Sequence, residues 1–189
     1  MFARVTVTAS ELDASRRFYE TLLSDLAWRE FSLAPADAER PPTRNLHIAF
    51  GVGSREEVDE RWRRAVDAGC ASDGEPGPRP QYGADYYGGF LLDPDGNSVE
   101  VVHGVHEPTA DNVVDHLWLG VSDVETSRRC WEGIARQLEG LRVVDASHPG
   151  LVSVTDGDRH LILVADGRPP TENVGIALTG PNGRVVEVP

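Results

Sequence analysis

The chain repeats itself. "ASELDASRRFYE" (Ala9 to Glu20) returns as "VSDVETSRRCWE" (Val121 to Glu132), and "RPPTRNLHIAF" (Arg40 to Phe50) returns as "RPPTENVGIAL" (Arg168 to Leu178). "DPDGNSVEV" (Asp93 to Val101) returns as "GPNGRVVEV" (Gly180 to Val188). Echoes that keep one order mark a duplication, and a duplicated chain must bury the apolar face of one copy against the other. The halves run 1–106 and 107–189 and meet in "HGVHEPTADN". Each half is abridged in a different place. The first carries a helix and a Gly/Pro/Tyr segment between its second and third echoes, and the second carries two strand-like runs, "LRVVDA" and "LVSVTDG", before its "RPPT". The first half has room there for one, "WREFSLAP".

A smaller unit recurs inside the halves: a strand, a capping signal, an amphipathic helix. "RVTVTA" precedes Ser10 with Asp13, "LHIAFGVG" precedes Ser54 with Glu57, and "HLWLGV" precedes Ser122 with Glu125. A serine followed three residues later by an acid caps the orphan amides of a helix start. Apolar stripes follow at helical spacing: Leu12, Tyr19, Leu22, Leu23; then Val58, Trp62, Ala65, Val66; then Val124, Trp131, Ile134, Leu138. Gly69 and Gly140 are the expected helix stops. "DPDG" and "GPNG" are turns leading into strands. "GEPGPRPQYG" (Gly74 to Gly83) has neither period and reads as a loop over a cleft, without a phosphate-binding Gly-Lys-Ser/Thr.

The strands are two-faced. Leu46, Ile48 and Phe50 alternate with His47, Ala49 and Gly51, and Leu117, Leu119 and Val121 alternate with His116, Trp118 and Gly120. Neighbouring side chains of a strand point to opposite sides, and the apolar row must face the helices. Arg4, His47, His116 and Gly175 then face what the sheet encloses.

Composition excludes several functions. Lys plus Arg is 18 against 31 for Asp plus Glu, a net charge of -13, which argues against nucleic acid and anionic membrane and permits a cationic small molecule. No apolar run approaches the ~18 residues of a membrane helix, and "MFARVTVTAS" has no secretory pattern, so the expected location is the cytoplasm. Cys70 and Cys130 read as reduced structural thiols. No Gly-x-Ser-x-Gly elbow supports a nucleophilic hydrolase.

Three stretches carry a resemblance. "VTVTASELDASRRFYETLL" with "HLWLGVSDVETSRRCWE", "LHIAFGVGSREEVDERWRRAVDAG", and "RPQYGADYYGGFLLDPDGNSVEVVHG" resemble the vicinal oxygen chelate superfamily of glyoxalases, bleomycin-resistance proteins and extradiol dioxygenases. The resemblance implies an α+β fold of paired βαβββ modules, with curved mixed sheets around a cleft, here internally duplicated and abridged. It also implies metal ligands on the first strand of a module and on a closing strand, commonly two His and one Glu. Carried onto this chain, the first half offers Arg4, His47 and Glu100, and the second offers His116, Gly175 and Glu187. Each half keeps two of three. Arg4 with Glu100 can replace the metal by an ion pair. Alternatively, the middle modules, beginning at His47 and His116, pair across one barrel and bring His47, Glu100 and His116 together. Glu100 is then both ligand and catalytic group, and Arg4, Tyr82, Tyr86 and Tyr87 are the expected substrate-binding residues. His103, His106, His148 and His160 read as surface histidines.

Three functions follow. The first is a lyase, isomerase or dioxygenase using one divalent ion (Fe, Mn, Zn, Ni or Mg). The second is a metal-free protein of the bleomycin-resistance type that binds a small molecule or drug and holds no cofactor. The third is a relic that keeps only dimerisation. A small-molecule ligand and a homodimer, which covers the open sheet edges, are the expected partners.

Overall fold

The computed structural model describes residues 1–23, 30–104, 106, 108, 109, 113–146 and 150–188. Trp28 and Arg29 of "WREFSLAP", and His148, lie outside them. Four units follow one another. The first is β1 (Phe2–Ala9), α1 (Leu12–Leu23) and β2 (Phe31–Pro35). The second is β3 (Leu46–Gly51), α2 (Arg55–Asp67), β4 (Ala71–Pro78), β5 (Tyr87–Leu92) and β6 (Ser98–His103). The third is β7 (Val114–Gly120), α3 (Val124–Ala135), β8 (Arg142–Asp145), β9 (Val152–Thr155) and β10 (His160–Val164). The fourth is β11 (Val174–Thr179) and β12 (Val185–Val188). The middle two are complete βαβββ modules and the outer two are abridged. The fold is α+β with two mixed sheets, as the resemblance implies.

The two middle modules share one eight-stranded sheet, β4-β5-β6-β3-β7-β10-β9-β8. The outer units share a four-stranded sheet, β12-β11-β1-β2. Each half of the sequence therefore contributes strands to both sheets. Phe2, Val5, Val7, Phe31, Ile176 and Leu178 from the small sheet join Leu46, Ile48, Phe50, Leu117, Leu161 and Leu163 from the large one in a single apolar core. Tyr19 and Leu22 of α1, Val58 of α2 and Trp131 of α3 complete it.

The "RPPT" echoes meet each other. Arg44 and Glu172 form an antiparallel bridge, each amide bonding the other's carbonyl at 3.1 and 3.0 Å. Thr43 Oγ1 donates to Asn173 O and Thr171 Oγ1 donates to Asn45 O, both at 2.7 Å. Each hydroxyl also accepts a strand amide at 2.9 Å, Thr8 N–H for Thr43 and Gly120 N–H for Thr171. Asn45 and Asn173 both take a left-handed φ, 58° and 57°, which Asn tolerates better than most residues. The duplicated motif is thus a reciprocal clasp between the halves.

The duplication also repeats an irregularity. Pairing of β3 with β7 slips between Ala49 and Phe50, leaving Asp115 as the extra residue of β7. Pairing of β1 with β11 slips between Phe2 and Arg4, leaving Ala3 as the extra residue of β1. Both are β-bulges, which admit one unpaired residue and re-aim its side chain.

Several local expectations need correction. Ser54 does cap α2, accepting from Glu57 N–H at 3.2 Å, and Glu57 returns to Gly53 N–H at 3.0 Å. Asp123, not Ser122, caps α3. Ser10 is engaged by Asp95, through its amide at 2.9 Å and its hydroxyl at 2.6 Å. Gly69 (φ 90°) ends α2 in a Schellman turn, with Cys70 N–H on Ala65 O and Gly69 N–H on Val66 O. Gly140 does not end α3, which stops at Ala135. Gly74 to Pro78 lie in β4, not in a loop. β4 is an edge strand whose pairing with β5 shifts twice, and such strands tolerate Gly and Pro. Among the described residues no helix is long and apolar enough to cross a membrane.

Candidate metal centre

One face of the eight-stranded sheet lines a cavity of about 660 Å³. Alternation places His47 of β3, Glu100 of β6, His116 and Trp118 of β7, and His160 and Ile162 of β10 on that face. β3 pairs parallel with β6 (Ala49 beside Glu100) and antiparallel with β7 (Ala49 beside His116). Glu100 and His116 therefore flank the residue two beyond His47, and the three side chains converge. Glu100 Oε2 lies 3.2 Å from His47 Nε2 and 3.5 Å from His116 Nε2. The two Nε2 atoms are 3.3 Å apart. Ligands bound to one ion at about 2.1 Å stand roughly 3.0–3.4 Å from one another. Two imidazoles and one carboxylate at these separations fit a divalent cation.

The hydrogen bonds set the tautomers for that task. Ser98 Oγ donates to Asp73 Oδ2 at 3.0 Å, so it accepts from His47 Nδ1–H at 3.2 Å. Asp115 Oδ1 accepts from His116 Nδ1–H at 2.6 Å. Both Nε2 atoms are left facing the centre. Asp115 Oδ2 takes a second bond, from His106 Nδ1 at 2.6 Å. Burial opposes the charge on Asp115, but the His106 and His116 bonds prevail and hold its carboxyl down at about 2. Burial likewise opposes a charged His116, and Asp115 and Glu100 overcome it, raising the imidazole to about 9. For Glu100, burial works upward, but His116 and His47 hold the carboxyl below its ordinary value.

Tyr86 and Gly88 shape the Glu100 side. Tyr86 Oη reaches both carboxylate oxygens at 3.0 Å, and burial with the Glu100 charge keeps the phenol protonated far above its usual range. A Cβ at Gly88 would stand 2.1 Å from Glu100 Oε1. That is why "YYGGF" carries glycine here: the carboxylate occupies the place of a side chain.

The other expected site residues separate. Tyr82 lines the cavity mouth, with its ring 5.2 Å from Tyr86 and 6.3 Å from Trp118. Tyr87, next to Tyr86 on the strand, points the other way and donates to Asp59 Oδ1 at 2.8 Å beneath Arg55. Arg4 is exposed on β1 of the four-stranded sheet and does not line the cavity. Glu100 is met by His47, His116 and Tyr86, so the expected Arg4–Glu100 pair is replaced by an imidazole–carboxylate cluster. Glu187 is exposed on β12, opposite Ala177. His160, expected on the surface, lines the cavity with Nδ1 2.8 Å from Ser153 Oγ. Burial and the charge of His116 lower its pKa and keep it neutral. The signal for His160 was "HLILV", whose alternation matches that of "HLWLGV".

Sequence comparison finds a likeness over part of the chain. The profile of the Glyoxalase/Bleomycin resistance protein/Dioxygenase superfamily matches residues 25–101. Over those residues the chain is similar to that superfamily. A similar fold extends over nearly the whole chain in solved structures. Glyoxalase I from Zea mays has a TM-score of 0.63 at 17% identity, covering 93% of this chain and 71% of its own. A mutant form of the same maize enzyme gives 0.63 at 18% identity with the same coverage. A glyoxalase/bleomycin resistance protein from Albidiferax ferrireducens T118 is 25% identical over 55% of this chain and 98% of its own, with a TM-score of 0.47. No curated protein matches the sequence.

The two middle modules differ at a telling point of the cavity. Glu100 pairs with Ala49, two residues after His47. In the other module, the residue paired with Trp118, two after His116, is Ile162. Ile162 thus occupies the counterpart of Glu100, and the symmetry of the sheet adds an apolar wall where a fourth ligand would come from.

Proposed function

We propose that the protein is a metal-dependent enzyme that binds two adjacent oxygens of a small planar molecule, and that its chemistry is that of a dioxygenase. The observation that carries this reading is a set of three converging ligands with Ile162 at the place of a fourth. Three protein ligands on a six-coordinate ion leave room for two substrate oxygens and dioxygen, whereas four leave room for the substrate alone. His47, Glu100 and His116 would hold the ion, which as Fe(II) supplies Lewis acidity and a site for dioxygen. Trp118, Phe90, Tyr82 and Ile162 supply apolar walls suited to an aromatic 1,2-diol. Neutral His160, backed by Ser153, is placed to accept a hydroxyl proton. Tyr86 fixes the Glu100 carboxylate. The halves 1–106 and 107–189 are then two copies of one two-module unit, and a homodimer covers the open edges β2 and β12. A single subunit by light scattering at micromolar concentration removes the dimer from this reading.

The test is oxygen uptake by Fe(II)-loaded protein over a panel of catechols. Uptake matched to catechol loss, abolished by Glu100→Gln, is expected. Anaerobic turnover of an α-oxo aldehyde–thiol adduct instead would move the assignment to an isomerase. Protein that binds no metal but binds a cationic aromatic compound tightly would overturn the enzyme in favour of drug binding.

A further inference from the structure

Consecutive residues of a regular strand cannot both serve one face, yet Asp115 and His116 do, because Asp115 is the extra residue of the β7 bulge. We infer that Asp115 is a positioning residue, placed by that bulge to make His116 the stronger of the two histidine ligands. The inference rests on the metal reading of the site. Asp115 is 1% exposed, and both its oxygens are used, one by His116 Nδ1 and one by His106 Nδ1, each at 2.6 Å. Its carboxylate therefore has no freedom to turn. A carboxylate behind an imidazole fixes the ring and raises its donor strength. His47 has a weaker backing: Nδ1–H meets the neutral hydroxyl of Ser98 at 3.2 Å, and the carboxylate on that side, Asp73, lies one hydrogen bond further on.

The chain contains its own control. β1 carries the same bulge at the duplicated position, where Ala3 stands for Asp115 and the exposed Arg4 for His116. The bulge therefore needs no acid to form. The acid appears in the copy that presents a ligand.

The test compares zinc affinity, by competition with a chromophoric chelator, for the wild type, Asp115→Asn, Asp115→Ala and Ser98→Ala. Asparagine keeps an acceptor for His116 and loses the charge, with an NH2 now facing His106. Affinity falls about tenfold for Asp115→Asn and about 100-fold for Asp115→Ala, against about fivefold for Ser98→Ala, the worth of one neutral hydrogen bond. Asp115→Ala that binds zinc no more weakly than Ser98→Ala overturns the assignment. If Asp115→Ala does not fold, wild-type affinity in Asp115→Asn overturns it. A second readout is the low-field proton resonance of His116 Nδ1–H in metal-free protein, present in the wild type, shifted in Asp115→Asn and lost in Asp115→Ala. Its absence from the wild type also overturns the assignment. Zinc that does not bind the wild type overturns the metal reading and the ligand ranking with it, whereas zinc that binds without the proton resonance overturns the role of Asp115 alone.

Discussion

In the large sheet, β3 and β7 present His47 beside Trp118 to a shared cavity. In the small sheet, their duplicates β11 and β1 present Gly175 beside Thr6. The backbone frame is the same, including the bulge. What differs is the side chains. A Cβ at Gly175 would meet Thr6 Cβ at 3.2 Å, and Thr6 is held by Ser32 at 2.9 Å. On this face the small sheet carries Gly175 and the exposed Arg4 where the large sheet carries His47 and His116, while its other face supplies core residues as that of the large sheet does. Among the described residues the imidazole–carboxylate cluster thus belongs to one copy of the unit alone, while both copies pack the core.

The seam between the sheets is the first place to break that division. Glu30, just before β2, accepts from Arg159, just before β10, at 2.5 Å and from Val113 and Val114 N–H, at 2.8 and 3.1 Å, where β7 begins. Both side chains are buried. Removing one partner of a buried pair costs about 3–5 kcal/mol. Glu30→Ala should show that loss in urea denaturation. A loss below about 1 kcal/mol would mean that this ion pair does not hold the seam.

The second prediction concerns only the large sheet. A proton on His116 competes with a metal. With its pKa at about 9, metal affinity should rise about tenfold per pH unit from neutrality toward 9 and then level off. Metal-free stability should move oppositely. A His whose folded pKa is raised above about 6.5 stabilises fully below that pH and ceases to as pH rises through 9. Glu100 and Asp115, both lowered, are charged throughout this window. Affinity independent of pH between 7 and 9 would contradict the ion pairing described for His116.

Two glycine substitutions sharpen the comparison directly. Gly88→Ala drives a methyl into Glu100 and should cost about 1–3 kcal/mol together with metal affinity. Gly175→Ala meets only the Thr6 methyne. The entropy gained on replacing strand glycine, about 0.5–1 kcal/mol, should offset that contact. Equal losses in thermal and metal titrations would show that the small sheet is not merely packing.

How much of this was legible beforehand depends on periodicity. The duplication, the α+β modules and the shared face of His47 and His116 can be read from echoes and alternation, whereas the grouping of Glu100 with them is what the family resemblance implies. Asp115 cannot, because a bulge breaks the period of two, and an acid beside His116 reads as pointing to the opposite face. Ile162 stays hidden for a different reason. Aligning the halves by their turns makes Glu187 the counterpart of Glu100, whereas the pairing of β10 with β7 makes it Ile162. Arg4 was misplaced by the same logic: its strand aligns with β7 in sequence but pairs with β11 and β2 in space.

The clasp gives the smallest effect and a direct test of the duplication. Thr43 is fully buried, and Thr43→Val leaves Thr8 N–H and Asn173 C=O without a partner, a loss of about 1–3 kcal/mol. Thr171 plays the same part for Gly120 and Asn45 but is only half-buried, so water can replace its hydroxyl and Thr171→Val should cost about 1 kcal/mol or less. The two threonines do not bond each other. They meet through Asn45, Asn173 and the Arg44–Glu172 bridge, so the double variant should depart from additivity by about 0.5 kcal/mol or more. Additivity within about 0.3 kcal/mol would mean the echoes act as separate turns, with the resemblance between them inherited but not used.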